Sequence, residues 1–149
     1  MSEDRREPMT DNARARASER CRIHAGQVEE CTWLLDLESE RFVFVSSAAA
    51  AQRGLSPEDV ESQSFSDALT PESLVMVRQL LSERISRYRA GDRSPSCIHS
   101  RIVVRQPCRS GPDRDFEWTT VLVDHEETGK LEWVCITRDI SDRRHREEE

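Results

Sequence analysis

The stretch from Leu131 to Arg143 limits what this chain can fold into more than any other. Its first half is rich in aromatic and β-branched residues, and neighbouring positions differ in character, as in a strand. Leu131, Trp133, Cys135 and Thr137 fall on one face; Glu132, Val134, Ile136 and Arg138 fall on the other. Neither face is wholly polar, so the strand is expected near the middle of a sheet, with material on both sides. The pattern then stops. Ser141 is a good helix N-cap, and Asp142 stands where the helix dipole favours an anion. Arg143 to Glu149 contains only charged residues and His. Such a helix has nothing to bury and is expected to leave the domain. A core strand running into an exiting helix can carry force out of a fold.

The other segments fit around that strand. Thr32–Leu37 and Phe42–Ser46 read as two short strands joined through Glu38–Arg41, an antiparallel hairpin. Ala48–Gly54 follows as a short helix with a serine before it and a glycine stop. Ser56-Pro57-Glu58-Asp59 opens another helical turn, with a cap, a proline at the first position and early acids. Phe65, Ala68 and Leu69 belong to a third short turn. The clearest helix begins with Thr70 as cap and Pro71. Leu74, Val77, Leu81, Ile85 and Tyr88 line one of its faces, and Gly91 ends it. Cys97–Arg105 and Phe116–Val123 read as strands three and four. Ile98, Ile102 and Val104 share one side of strand three, opposite His99, Arg101 and Arg105. The last three strands, joined by short turns, form a meander. The sum is an α+β domain: a five-stranded antiparallel sheet, element order β-β-α-α-α-β-β-β, with helices on one face.

Composition sets limits on function. The chain has 149 residues, 34% of them charged and 5% aromatic, so an aliphatic core of modest size is expected. A net charge of -7 argues against a nucleic-acid partner. No apolar run approaches the roughly 18 residues of a membrane span, and none follows the N-terminus as a signal peptide would. A cytosolic location is expected, with the five cysteines as thiols. Residues 1–27 are expected as a disordered arm plus a helix from Ala13 to about Ala25. That helix carries little apolar surface and needs a partner, for which the same helix in a second copy is a candidate. Residues 28–143 form the domain and 144–149 begin the exiting helix. The acidic end in mid-helix favours a fragment, with an output domain beyond residue 149, or action by docking to a partner protein.

Four segments, taken together, resemble a PAS domain of the bacterial sensor type: Gly54–Val60 after the second strand, Leu69–Ser73 opening the long helix, Phe116-Glu117-Trp118 in the fourth strand, and Thr137–Arg143 closing the fifth. The resemblance covers about Val28 to Arg143. It implies helices cupped over one face of the sheet, an internal cavity in some members, and a homodimer formed through flanking helices. It also implies that Asp139-Ile140-Ser141 stands where the family carries an Asp-Ile-Thr junction to a signalling helix. Two places depart from the family's pattern. Val60-Glu61-Ser62 lacks a glycine that often follows this turn, and Arg109–Arg114 replaces a Lys-Asp-Gly turn, which implies an altered hairpin at the sheet's edge.

No cofactor is identified by the sequence. The Asn-Cys-Arg segment of flavin-photoadduct members is missing, the long helix has no His for haem, and His99 lies on a polar strand face. Cys21, His24, Cys31, Cys97 and His99 are spaced too loosely for a tetrahedral metal site. No nucleotide-binding glycine loop, serine elbow or His-Glu-x-x-His is present, so an enzyme is not expected. An isomerase-like cup would need a buried acid. Asp36, the one acid inside an apolar strand, is expected at a strand end facing water. Trp118 and Trp133 are expected in the core, where they can line a ligand cavity, or on an outer face, where they can anchor a dimer. Arg138, Asp139, Ile140 and Ser141 are the expected signal-coupling residues. The chain is accordingly read as a sensory module whose last strand transmits a ligand- or dimer-dependent change. A ligand-free interaction module and a small isomerase-like enzyme stand as alternatives.

Overall fold

The computed structural model describes residues 10–25, 31–125 and 127–141. Helix α1 (Asp11–Ala25) precedes strands β1 (Thr32–Asp36) and β2 (Arg41–Val45). Two short helices, α2 (Ser47–Ala51) and α3 (Pro57–Ser62), a 3-10 turn (Phe65–Ala68) and the long α4 (Pro71–Arg89) follow. A single helical turn, α5 (Pro95–Ile98), leads into β3 (His99–Gln106), β4 (Arg114–Asp124) and β5 (Leu131–Asp139). The five strands form one antiparallel sheet in the order β2-β1-β5-β4-β3. The strand read first from the sequence is thus the central one, between β1 and β4. The exiting helix expected beyond Ser141 lies outside the described residues, as do residues 1–9 of the expected arm.

Local chemistry explains the elements. Ser46 Oγ accepts from the Ala49 N–H and caps α2. At α3 the Ser56 side chain accepts from Asp59 N–H while Asp59 accepts from Ser56 N–H, a reciprocal capping box. Thr70 starts α4 without a side-chain cap bond, so the sequence expectation holds there only for the backbone and for Pro71. Gly91, at φ 101, closes α4 in a conformation that a side chain would strain. One boundary differs. Cys97 and Ile98 belong to α5 and not to β3, because Pro95 after Ser94 starts a helical turn that ends only at His99.

The sheet has two covered faces. Inside, α2 to α4 press on Trp33, Leu35, Phe42, Trp118, Trp133 and Cys135, and α4 contributes Val77, Leu81 and Tyr88. The core is therefore built on rings, against the aliphatic core expected from composition. The chain has few aromatic residues, but it concentrates them in one place. Outside, α1 lays Ala17 and Cys21 over Leu34, Val123 and Val134. It buries these two side chains against its own sheet. Small side chains at spacing i, i+4 let the helix sit close to the strands.

The far end of α4 is pinned to β4. The Tyr88 hydroxyl donates to the Asp124 carboxylate, and the Arg93 guanidinium lies 3.5 Å over the Tyr88 ring. Burial, and then the bond to Asp124, push the phenol above its ordinary value. Tyr88 is the only tyrosine, so an absorbance titration reads it alone. The midpoint should lie above about 10. Asp124→Asn should lower it without removing the part due to burial. The raised folded-state value favours the neutral phenol. Its stabilising effect is complete below about pH 10 and fades as pH rises through the folded value.

Candidate functional site

Three places bear on function: the interior under the helices, the end of β5, and the seam beneath α1.

The interior is closed by aromatic packing. Trp33 meets Trp118 edge-on at 4.8 Å between ring centroids, Phe42 at 5.5 Å and Trp133 at 5.8 Å. Phe65 lies 6.1 Å from Trp118 and 6.3 Å from Trp133. Both tryptophans singled out from the sequence thus point inward. Neither reaches the outer face, so neither can anchor a dimer there. Under the helices lies a cavity of about 10 Å3, lined by Trp33, Phe42, Val60, Arg53, Gln106 and Thr137, among others. That is room for about one water molecule. Arg53 is 5% exposed. Its Nε donates to Pro107 O at 3.0 Å and its Nη1 to Gln63 Oε1 at 3.3 Å. Burial draws its pKa below the ordinary value. Trp118 Nε1 and Thr137 Oγ1 are among the four buried side-chain polar atoms with no partner among the described residues.

The end of β5 is stitched to the start of β4. Phe116 pairs with Asp139 across the ladder, and Ile140 N–H donates to Asp115 O at 3.0 Å. Asp139 Oδ1 accepts from Ser141 N–H at 3.0 Å, and its Oδ2 lies 3.2 Å from the Arg114 guanidinium. Ser141 Oγ accepts from Asp115 N–H at 2.8 Å. Ile140 is buried, and Arg138 pairs with Glu117 at 2.6 Å on the exposed side. All four residues selected from the sequence therefore sit together at one strand end. Asp139 both accepts a backbone N–H and pairs with an arginine. At the C-cap of α2, Gln52 Nε2 reaches Thr137 O at 3.4 Å and Cys31 Sγ at 3.1 Å, which ties the lid to the same end of β5.

The seam under α1 was not found by sequence reasoning. Arg20 forms a two-pronged pair with Glu132 of β5, at 3.0 and 3.1 Å. Arg14 does the same with Glu61 of α3, at 2.8 and 2.7 Å. Glu132 and Glu61 are both buried, so each carboxylate needs its arginine. One signal was available: Glu132 lies on the face of the central strand that also carries Val134 and Ile136, where an acid calls for a cation. Since both buried acids are held this way, neither stands free as the base an isomerase would use. Asp36 ends β1 and accepts from Ser39 and from Glu38 N–H, a turn contact. His99 is exposed, and among the described residues no three His, Cys, Asp or Glu side chains are placed to hold a metal.

This geometry has known counterparts. The PAS fold pattern matches residues 23–140, and the chain belongs to the PAS family. A PAS domain from a two-component sensor histidine kinase superposes with a TM-score of 0.57 at 13% identity, covering 81% of this chain and 94% of that one. The N-terminal domain of a diguanylate cyclase with a PAS/PAC sensor from Marinobacter aquaeolei gives 0.55 at 16% identity, covering 76% and 97%. A sensory box histidine kinase/response regulator from Burkholderia thailandensis gives 0.56 at 13% identity, covering 85% and 90%. No curated protein matches the chain in sequence. The chain is thus a PAS sensory module similar in fold to those of sensor kinases and cyclases, and no described helix is long and apolar enough to cross a membrane.

Proposed function

We propose that this chain is the cytoplasmic regulatory module of a bacterial signal-transduction protein of sensor-kinase or cyclase type. It acts as a homodimer and passes a change through β5 into a C-terminal helix. The supporting observation is the junction at Asp139. That carboxylate holds both the Ser141 amide, just past the end of the strand, and Arg114 at the head of β4. A shift of β5 against β4 would therefore re-aim whatever follows Ser141. Such coupling needs only an input with different affinity for two positions of the strand.

The filled interior favours an input other than a ligand beneath the helices, either contact with a partner protein or a ligand on another surface. This keeps the ligand-free interaction module as the second reading.

The test fuses residues 1–149 in frame to a histidine kinase catalytic core and compares it with its Asp139→Ala variant. The variant should lose about 1 kcal/mol, the worth of a cap. It should also show an output that no longer follows dimerisation, measured by autophosphorylation against protein concentration. An unchanged response in a folded variant would remove the junction from the mechanism.

A further inference from the structure

Helix α1 covers only part of the outer sheet face. Beside its C-terminal half, a groove of about 560 Å3 opens between the helix and β4. That volume falls within the roughly 300–1000 Å3 typical of small-molecule sites, and it far exceeds the space under the lid. Ile23, Val121, Leu122, Ile98 and Tyr88 supply its apolar surface. Ile23 is 67% exposed, the most of any large apolar side chain among the described residues. An isoleucine left in water on a helix that buries only alanine and cysteine is surface without an intramolecular use.

The charges around the groove are unequal in their freedom. Of its acids, Glu19 is held by Arg22, and Asp124 accepts from the Tyr88 hydroxyl. Arg20 is spent on Glu132. Arg16 and His24 also line the groove, and neither has an ion pair or side-chain hydrogen bond among the described residues. Glu127, exposed on the turn between β4 and β5, is the acid left to oppose them. His125 is tied to its own turn, its Nδ1 accepting from Glu127 N–H.

We propose that this groove binds a small amphipathic anion, a carboxylate with an aromatic or alkyl body. The body lies on Ile23, Val121 and Ile98, and the head group lies at Arg16 and His24. Such a ligand touches α1 and β4 at once, so it adds to the hold of the Arg20–Glu132 pair on the helix. Binding does not depend on the signalling role proposed above, and its test is binding alone.

Calorimetric titration of the 149-residue chain with decanoate and with 1-naphthoate should show saturable binding with one site per chain. The stronger of the two identifies the body that fits. Decyltrimethylammonium, of similar length and opposite charge, should bind at least about tenfold more weakly. Ile23→Ser and Arg16→Ala alter exposed side chains and should fold; each should weaken binding about tenfold. Glu127→Gln should strengthen it. Val103→Ser, an exposed apolar position outside the groove, should leave it unchanged. The proposal is overturned by the absence of saturable binding at millimolar ligand, or by equal binding of the cation. It is also overturned if Val103→Ser matches Ile23→Ser. Sedimentation covers the remaining occupant: a dimer that dissociates in Ile23→Ser, with no anion bound, would give the groove to a second copy of the chain instead.

Discussion

Trp118→Ala should cost the domain about 3–5 kcal/mol, the range for removing a buried large aromatic side chain. Domains of this size are stable by about 5–15 kcal/mol, so the variant should be near the edge of folding. The ring is fully buried and meets Trp33, Phe65 and Trp133. Each such aromatic pair adds about 0.5–1.5 kcal/mol beyond the area it buries. Truncation would leave an apolar void on the order of 150 Å3, a size that stays dry and takes up benzene. Benzene or indole should therefore raise the melting temperature of Trp118→Ala but leave that of the unmodified chain unchanged, since its cavity is about 10 Å3. Trp118→Phe should cost much less, because it keeps a ring and removes the unpartnered indole N–H. A loss below about 1 kcal/mol in the alanine variant, with no response to benzene, would mean that the interior is not packed around this ring.

Glu132→Ala should free α1 from the sheet. The carboxylate is 4% exposed and its partner Arg20 is 21% exposed. Removing one member of a fully buried pair costs about 3–5 kcal/mol; the arginine here can swing into water, so about 2 kcal/mol is expected. Arg20→Ala should cost more, because it strands the buried carboxylate. Cys21 reports the motion directly. Under the docked helix, burial pushes its thiol up to about 12, so it should resist alkylation at pH 8. In Glu132→Ala it should be modified many times faster, with peptide mapping separating it from the other four cysteines. Equal labelling rates in the two proteins would show that the ion pair does not hold the helix. Arg20→Met combined with Glu132→Leu should recover most of the stability, since apolar residues of similar size often replace a buried pair without loss.

The two variants divide what could be read from the chain from what could not. The central place of β5 was legible, since both of its faces needed cover, but alternation left open which face of the strands carrying Trp118 and Trp133 is the inner one, and packing decided it. That Arg138 to Ser141 fall at a strand end was legible as a local pattern, but the bond of the Ser141 hydroxyl to Asp115 of β4 was not. The course of α1 was not legible. Its hold depends on Glu132 and Glu61, which lie 112 and 47 residues from their arginines.

The aromatic cluster was hidden for the same reason. Trp33, Phe65, Trp118 and Trp133 are scattered along the chain and meet only because the sheet order places β1 beside β5. By itself, then, the sequence determined most of the strands and helices, the serine caps of α2 and α3 and the family to which they conform, since these come from interactions within a few residues. The tertiary structure alone decided that the interior is full, that α1 folds onto its own sheet, and that an open groove remains beside it. Those outcomes depend on which distant side chains meet and on how completely they fill the space between them, and neither is encoded in local periodicity.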